Sequence, residues 1–243
     1  MAARRDIVAD AEALARTAAE RLLARIEAQP GRVAICLTGG SGPKRMFELL
    51  AGEFASRIPW PRVHWFIGDE RFVPLDDALS NMGTAQRMLL DGRAPAETIH
   101  PIPTAMATLD DAALTYQRDL QACYGADRLN PARPLFDLVL MGLGPDGHTA
   151  SLFPDAPALA EELRWVVGVE TAHVAPFVPR VTLTLPTLAS CREMLFLVGG
   201  AEKRAVLSRV LAGEDLPATR AHSLNETVWL IDRAALPEDV DAG

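Results

Sequence analysis

The sequence is poor in features that mark several classes of protein. Its 243 residues include only three cysteines, which are too few and too widely spaced for a disulfide framework. No stretch reaches the roughly 18 consecutive apolar residues of a membrane span, and no apolar signal segment follows the N-terminal arginines. These absences predict a cytoplasmic protein with no membrane partner.

Positive charge is also scarce. The formal net charge is −8, which argues against a nucleic-acid partner because such a surface is normally basic. Only two of the 24 basic residues are lysines, Lys44 and Lys203, and both lie next to glycine-rich segments. They are either chance surface residues or cations kept for their compact point charge, and a small anionic ligand needs only a few such groups.

Metal-ligand motifs are missing too, since neither His-x-x-x-His nor Cys-x-x-Cys occurs. The sequence therefore predicts no metal site. Four of the five histidines have no functional context, and we assign them no role: His64, His100, His173 and His222.

What is present is a repeated alternation of helices and strands. An apolar stripe of helical period predicts a helix over Asp6 to Gln29. Further helices are predicted at 43–51, 81–90, 108–124 and 201–211, and strands at 32–37, 63–67, 136–141, 164–169, 180–185, 194–198 and 227–231. We expect an α/β fold, a single domain over residues 1–243 with a Rossmann-like, mainly parallel sheet and helices on both faces.

The loops that follow these strands hold the polar residues. Ligands of open parallel sheets bind at the carboxyl ends of the strands, so the loops with Ser41, Arg71, His148 and Lys203 should converge. The segment Gly39-Gly40-Ser41 enters a predicted helix, where backbone N–H groups suit a phosphate. A purely structural tight turn is the alternative reading of this segment.

The loop from Gly142 to Gly147 matches the Gly-x-Gly-x-x-Gly pattern of dinucleotide-binding proteins. That reading is disfavoured because several strands precede the loop and Asp146 would repel a pyrophosphate. His148 ends the same loop, and an imidazole after a buried strand is a candidate general base.

Asp69, Glu70 and Arg71 follow another strand. They form either a solvated loop with an internal ion pair or a site in which Arg71 holds a substrate oxyanion while a carboxylate orients it. Arg180 is either a charge at a strand end or a second cationic contact beside Lys203.

Four segments together resemble the glucosamine-6-phosphate isomerase/6-phosphogluconolactonase superfamily, and specifically its 6-phosphogluconolactonases. They are Leu-Thr-Gly-Gly-Ser-Gly-Pro-Lys at 37–44, Trp-Phe-Ile-Gly-Asp-Glu-Arg-Phe-Val-Pro at 65–74, Asp-Leu-Val-Leu-Met-Gly-Leu-Gly-Pro-Asp-Gly-His-Thr-Ala-Ser-Leu-Phe-Pro at 137–154, and Arg-Val-Thr-Leu-Thr at 180–184 with Gly-Gly-Ala-Glu-Lys at 199–203. The chain departs from the usual first segment at two positions. It has Thr38 where the family has a serine, and Gly42 where the family has a threonine.

The resemblance implies hydrolysis of 6-phospho-D-glucono-1,5-lactone in the pentose phosphate pathway, with a phosphorylated sugar lactone as the small-molecule partner and no cofactor. His148 would be the base that activates water, Asp146 would orient it, and Arg71 would lie near the carbonyl or sugar oxygens. The predicted substrate-binding residues are Gly39, Gly40, Ser41, Lys44, Asp69, Arg180 and Lys203, among which Ser41, Arg180 and Lys203 would hold the phosphate.

Two other functions stay open. Glucosamine-6-phosphate deaminase shares the Asp-Gly-His segment, but it has a glutamate where Phe153 stands here and a tyrosine where Arg71 stands. A non-catalytic sugar-phosphate sensor would keep the cations without needing His148. The sequence leaves the oligomeric state undetermined.

Overall fold

The computed structural model describes residues 3–238, which form two sheets flanked by helices. The strands are β1 (Arg4–Val8), β2 (Val33–Leu37), β3 (Val63–Ile67), β4 (Asp69–Arg71), β5 (Phe136–Met141), β6 (Val166–Val169), β7 (Arg180–Leu183), β8 (Cys191–Val198) and β9 (Glu226–Asp232). The α-helices are α1 (Ala11–Glu27), α2 (Lys44–Ala51), α3 (Asn81–Ala85), α4 (Leu109–Tyr124), α5 (Leu185–Ala189), α6 (Arg204–Leu211) and α7 (Pro217–Arg220).

The central sheet has six parallel strands in the order β1-β9-β8-β5-β2-β3. Strands β2 and β5 lie inside it and are buried along their whole length, and β8 is buried at every residue but Arg192. Their continuous apolar sequences are those of strands covered on both faces. The predicted parallel α/β architecture is confirmed.

The predicted helix from Asp6 to Gln29 is wrong at its beginning. Residues Arg4–Val8 form β1, an edge strand that pairs in parallel with β9, and α1 begins only at Ala11. The Asp10 side chain caps α1 by accepting a hydrogen bond from the Ala13 N–H. Ile7 and Val8 fit the helical stripe, but pairing with the free edge of β9 satisfies their backbone groups instead.

A second, three-stranded antiparallel sheet has the order β4-β7-β6. The sequence predicts strands at 164–169 and 180–185 but treats 69–71 as a loop. Directly after β3 the chain leaves the central sheet at Gly68, whose carbonyl accepts a hydrogen bond from the Leu183 N–H. Residues 69–71 therefore continue as a strand paired with β7, a long-range contact that local sequence patterns do not reveal.

The remaining helices follow the predicted ranges with local differences. The Ser80 side chain caps α3 by accepting a hydrogen bond from the Gly83 N–H. The predicted helix 81–90 is α-helical only in its first half, since α3 ends at Ala85 and a π-helical turn covers residues 86–90. None of the helices in the described residues is long and apolar enough to cross a membrane.

Candidate active site

The order β8-β5-β2 brings three loops side by side at the carboxyl edge of the central sheet. A cavity of about 890 Å³ opens there, and residues of all three loops and of the smaller sheet line it. Eight of the ten predicted site residues line the cavity, the exceptions being Lys44 and Asp146: Gly39, Gly40, Ser41, Asp69, Arg71, His148, Arg180 and Lys203.

His148 and Asp146 form a hydrogen-bonded pair in the loop after β5. The Asp146 Oδ1 atom lies 2.5 Å from His148 Nδ1 and also accepts the His148 backbone N–H at 3.0 Å. Burial alone would raise the pKa of Asp146, but the hydrogen bonds from His148 hold it below its ordinary value. An ionised carboxylate on Nδ1 keeps the proton there, which leaves the Nε2 lone pair as the base.

Glycines shape the loop around this imidazole. A Cβ atom added to Gly144 would lie 2.0 Å from His148 Nδ1, so any side chain at this position would displace the ring. Gly147 has a φ of +89°, which L-residues rarely adopt, and a Cβ there would also press on Leu216 at 2.9 Å. The glycines of this loop therefore position the candidate base, and they do not need a bound dinucleotide to explain them.

Arg71 and Arg180 stand directly opposite each other in the pair β4–β7, and both line the cavity. Like charges at such positions repel, and burial together with Arg71 lowers the pKa of Arg180, with Asp69 opposing the shift. Both Nε atoms are buried without a hydrogen-bond partner in the described part of the chain. Two opposed guanidinium groups that line the same cavity favour an anion there.

The acidic residues beside Arg71 have separate structural partners. The buried Asp69 accepts a hydrogen bond from Ser151 Oγ at 2.6 Å and lies 4.0 Å from Arg180 Nη1. The buried Glu70 accepts four hydrogen bonds, from Ser80 Oγ and from the backbone N–H groups of residues 71, 81 and 82. Neither carboxylate binds the Arg71 guanidinium, which instead donates to the carbonyl of Leu79, so the internal ion pair considered from the sequence does not form.

The loop after β2 presents its backbone to the cavity. Gly40 has a φ of +82°, and within residues 3–238 the N–H groups of Gly40, Ser41 and Gly42 have no hydrogen-bond acceptor. The Lys203 Nζ atom reaches the same cavity and donates to the carbonyl of Leu143 at 2.7 Å. Lys44, the other predicted lysine contact, is exposed at the start of α2 and does not line the cavity.

Asn81 is a cavity residue to which the sequence analysis assigned no role. It is buried, lines the cavity, and donates from Nδ2 to the carbonyl of Asp69 at 2.9 Å. A Cβ on Gly39 would overlap its side chain at 1.9 Å, so glycine at position 39 allows the two loops to meet. In the sequence, the feature that could have pointed to Asn81 is its position directly after Ser80, the residue that caps α3.

A parallel α/β sheet whose carboxyl edge holds a base and a set of cations defines an enzyme for small anionic substrates. The family model for glucosamine-6-phosphate isomerases/6-phosphogluconolactonase matches residues 9–229. The chain belongs to this family.

Within the family, several similar proteins are 6-phosphogluconolactonases. That of Synechocystis is 39% identical over 214 residues, covering 86% of this chain and 85% of the relative. That of Mycobacterium tuberculosis is 38% identical, covering 95% of this chain and 96% of the relative. The crystal structure of 6-phosphogluconolactonase from Leishmania guyanensis superposes with a TM-score of 0.88 at 30% identity and covers 100% of both chains.

Proposed function

We propose that this chain hydrolyses 6-phospho-D-glucono-1,5-lactone to 6-phosphogluconate. The observation that carries the proposal is one cavity that joins the His148–Asp146 pair to the opposed guanidinium groups of Arg71 and Arg180. The names of the curated relatives support the same reaction.

In this mechanism His148 Nε2 takes a proton from water while the water oxygen attacks the lactone carbonyl carbon. The ring C–O bond then breaks, and the proton held on Nε2 passes to the departing ring oxygen. Asp146 stabilises the imidazolium that exists between these steps. One positioned general base contributes about 10²–10⁴-fold, which suits a reactive lactone that needs no covalent intermediate.

We assign the cations to different groups of the substrate. Lys203 and Arg180 bind the phosphate together with the backbone N–H groups at Ser41, and Arg71 contacts the carbonyl or sugar oxygens. Arg71, Arg180, Ser41 and Lys203 all line the cavity. A charge-assisted hydrogen bond contributes about 1.5–3 kcal/mol, so these contacts supply affinity and orientation.

The deaminase alternative is not favoured. Phe153, which stands where that enzyme has a glutamate, is fully buried with its ring centroid 4.8 Å from that of His148. It packs against the base and offers no carboxylate for ring opening. A non-catalytic sensor would gain nothing from a partly buried carboxylate that fixes the tautomer of the imidazole.

Lactone turnover tests the proposal directly. His148→Asn should lower kcat on the order of 10²-fold or more with little change in KM, because a base acts mainly in the transition state. His222→Asn is the matched control, since His222 is exposed and does not line the cavity. The spontaneous opening of the lactone is subtracted at each pH, and wild-type kcat in His148→Asn would refute the role of the base.

Two further statements belong to the same proposal. The chain acts as a single domain over residues 1–243, supported by the family match over 9–229. It works in the cytoplasm, supported by its three free cysteines, Cys36, Cys123 and Cys191.

A further inference from the structure

A second cluster of chemically active side chains lies away from the cavity. His64 is in β3, His100 follows the residue that bridges to Trp65, and Cys123 is in the last turn of α4. His64 Nδ1 lies 2.8 Å from His100 Nε2, and that nitrogen lies 4.0 Å from Cys123 Sγ. All three candidate ligand atoms are within 4.8 Å of one another, and none of the three residues lines the cavity.

The sequence predicts no metal site because these residues are 36 and 23 positions apart and match no ligand motif. The fold assembles them. The His100 N–H donates to the Trp65 carbonyl at 2.8 Å, and the His100 ring stacks on Phe66 with centroids 4.3 Å apart. Two ligands are thus held on one edge strand and its neighbouring loop before any ion binds.

The pKa shifts act in opposite directions at the two kinds of ligand: they favour metal binding at the imidazoles and oppose it at the thiol. Burial lowers the pKa of His64 and lowers that of His100 to about 4, and the nearby Arg32 adds to both shifts, so both imidazoles are neutral at pH 7. Burial raises the pKa of the Cys123 thiol and Asp119 adds to this, while Arg32 opposes it. A bound cation would displace the thiol proton to solvent and take the sulfur as thiolate.

We propose that His64, His100 and Cys123 form a binding site for Zn²⁺ or a similar borderline-soft divalent cation, with three protein ligands and an open fourth position. Tetrahedral Zn²⁺ needs about 3.3 Å between ligand nitrogens and about 3.6 Å between nitrogen and sulfur. The imidazoles must therefore separate by about 0.5 Å, and the sulfur must approach His100 by about 0.4 Å and His64 by up to about 1.2 Å. All three side chains are only partly buried, which leaves the ion a route to the site.

The site is not part of the proposed hydrolysis. His64 is the second residue of β3, and the strand runs three more residues to its carboxyl end, a distance of about 10 Å. A bound ion would join the edge strand β3, the loop at His100 and helix α4, so its expected effect is on stability and not on turnover.

The test uses the full chain without a histidine affinity tag, stripped of metal and titrated with Co²⁺ and then with Zn²⁺. We expect one equivalent of Co²⁺ to give a thiolate-to-metal charge-transfer band, and Zn²⁺ to displace it and raise the melting temperature. Cys123→Ser should abolish the band and weaken Zn²⁺ binding at least about 100-fold, the upper end of the loss for outer-shell partners. His222→Gln, which removes an exposed histidine elsewhere, should leave both unchanged.

The far-ultraviolet circular dichroism and the thermal unfolding of each variant show whether it is folded, and His64→Gln is a second ligand variant in case Cys123→Ser is unstable. Absence of a charge-transfer band with the folded wild type would overturn the proposal. So would a band that survives in both Cys123→Ser and His64→Gln. In either case the 2.8 Å contact would be a hydrogen bond between two imidazoles only. Because these readouts are independent of catalysis, they do not depend on the proposed lactonase activity.

Discussion

Gly144→Ala provides a stringent test of how the loop after β5 positions the base. The added Cβ would lie 2.0 Å from His148 Nδ1 and 2.1 Å from Cε1, whereas carbon and nitrogen atoms in contact are about 3.5 Å apart. The imidazole must therefore move by roughly 1.5 Å. That movement breaks the 2.5 Å hydrogen bond to Asp146.

The magnitude follows from this displacement. A misplacement of about 1 Å at a reacting group costs on the order of 10²-fold in rate, so kcat should fall by about that factor. KM should change little, because Arg71, Arg180 and Lys203 are carried by other segments of the chain.

The assay is lactone turnover with the spontaneous rate subtracted, and the matched control is Gly142→Ala in the same loop. A Cβ at Gly142 meets only Thr38 Oγ1 at 3.9 Å, an ordinary contact, so this variant should keep most of the wild-type kcat. The double variant Gly144→Ala/His148→Asn should be no slower than His148→Asn alone, because both changes remove one function. A folded Gly144→Ala protein with wild-type kcat would show that the position of His148 does not matter.

Three further predictions use other residues. Lys203→Ala should raise KM for the lactone by roughly 10-fold or more, because a charge-assisted contact is lost. Lys44→Ala is the control and should leave KM unchanged, since Lys44 does not line the cavity. Equal effects of the two variants in steady-state kinetics would contradict the placement of the phosphate. Glu70→Gln should lower the free energy of unfolding in urea by at least about 1–3 kcal/mol, because each Glu70 oxygen accepts two hydrogen bonds and two of the four donors then face an amide NH₂ group. The exposed Glu97→Gln serves as control. The pKa of His100 is lowered from 6.5 to about 4 by burial, so between these values the unfolded chain binds a proton that the folded chain does not. The stability of the metal-free protein should therefore decrease as pH falls through this range, and His100→Gln should flatten the curve.

The sequence by itself determined the elements whose signals are local. Continuous apolar runs followed by glycine marked β2, β5 and β8, because strands covered on both faces need apolar side chains on both sides. The rule that ligands bind at the carboxyl ends of parallel strands then predicted that distant loops share one edge, and the cavity lies there.

Only the tertiary structure decided which groups meet. The edge strand β1 was taken for the start of a helix, and Arg71 was placed in a loop instead of opposite Arg180, because strand pairing depends on partners far along the chain. The resemblance assigned Asp146 to orient His148, but the 2.5 Å distance between them is set by the folded chain, as is the gathering of three side chains around His100. Hydrophobic periodicity and composition describe the segment in which a residue lies. A site depends on the distances between segments, and these distances are set only when the strands and helices pack together.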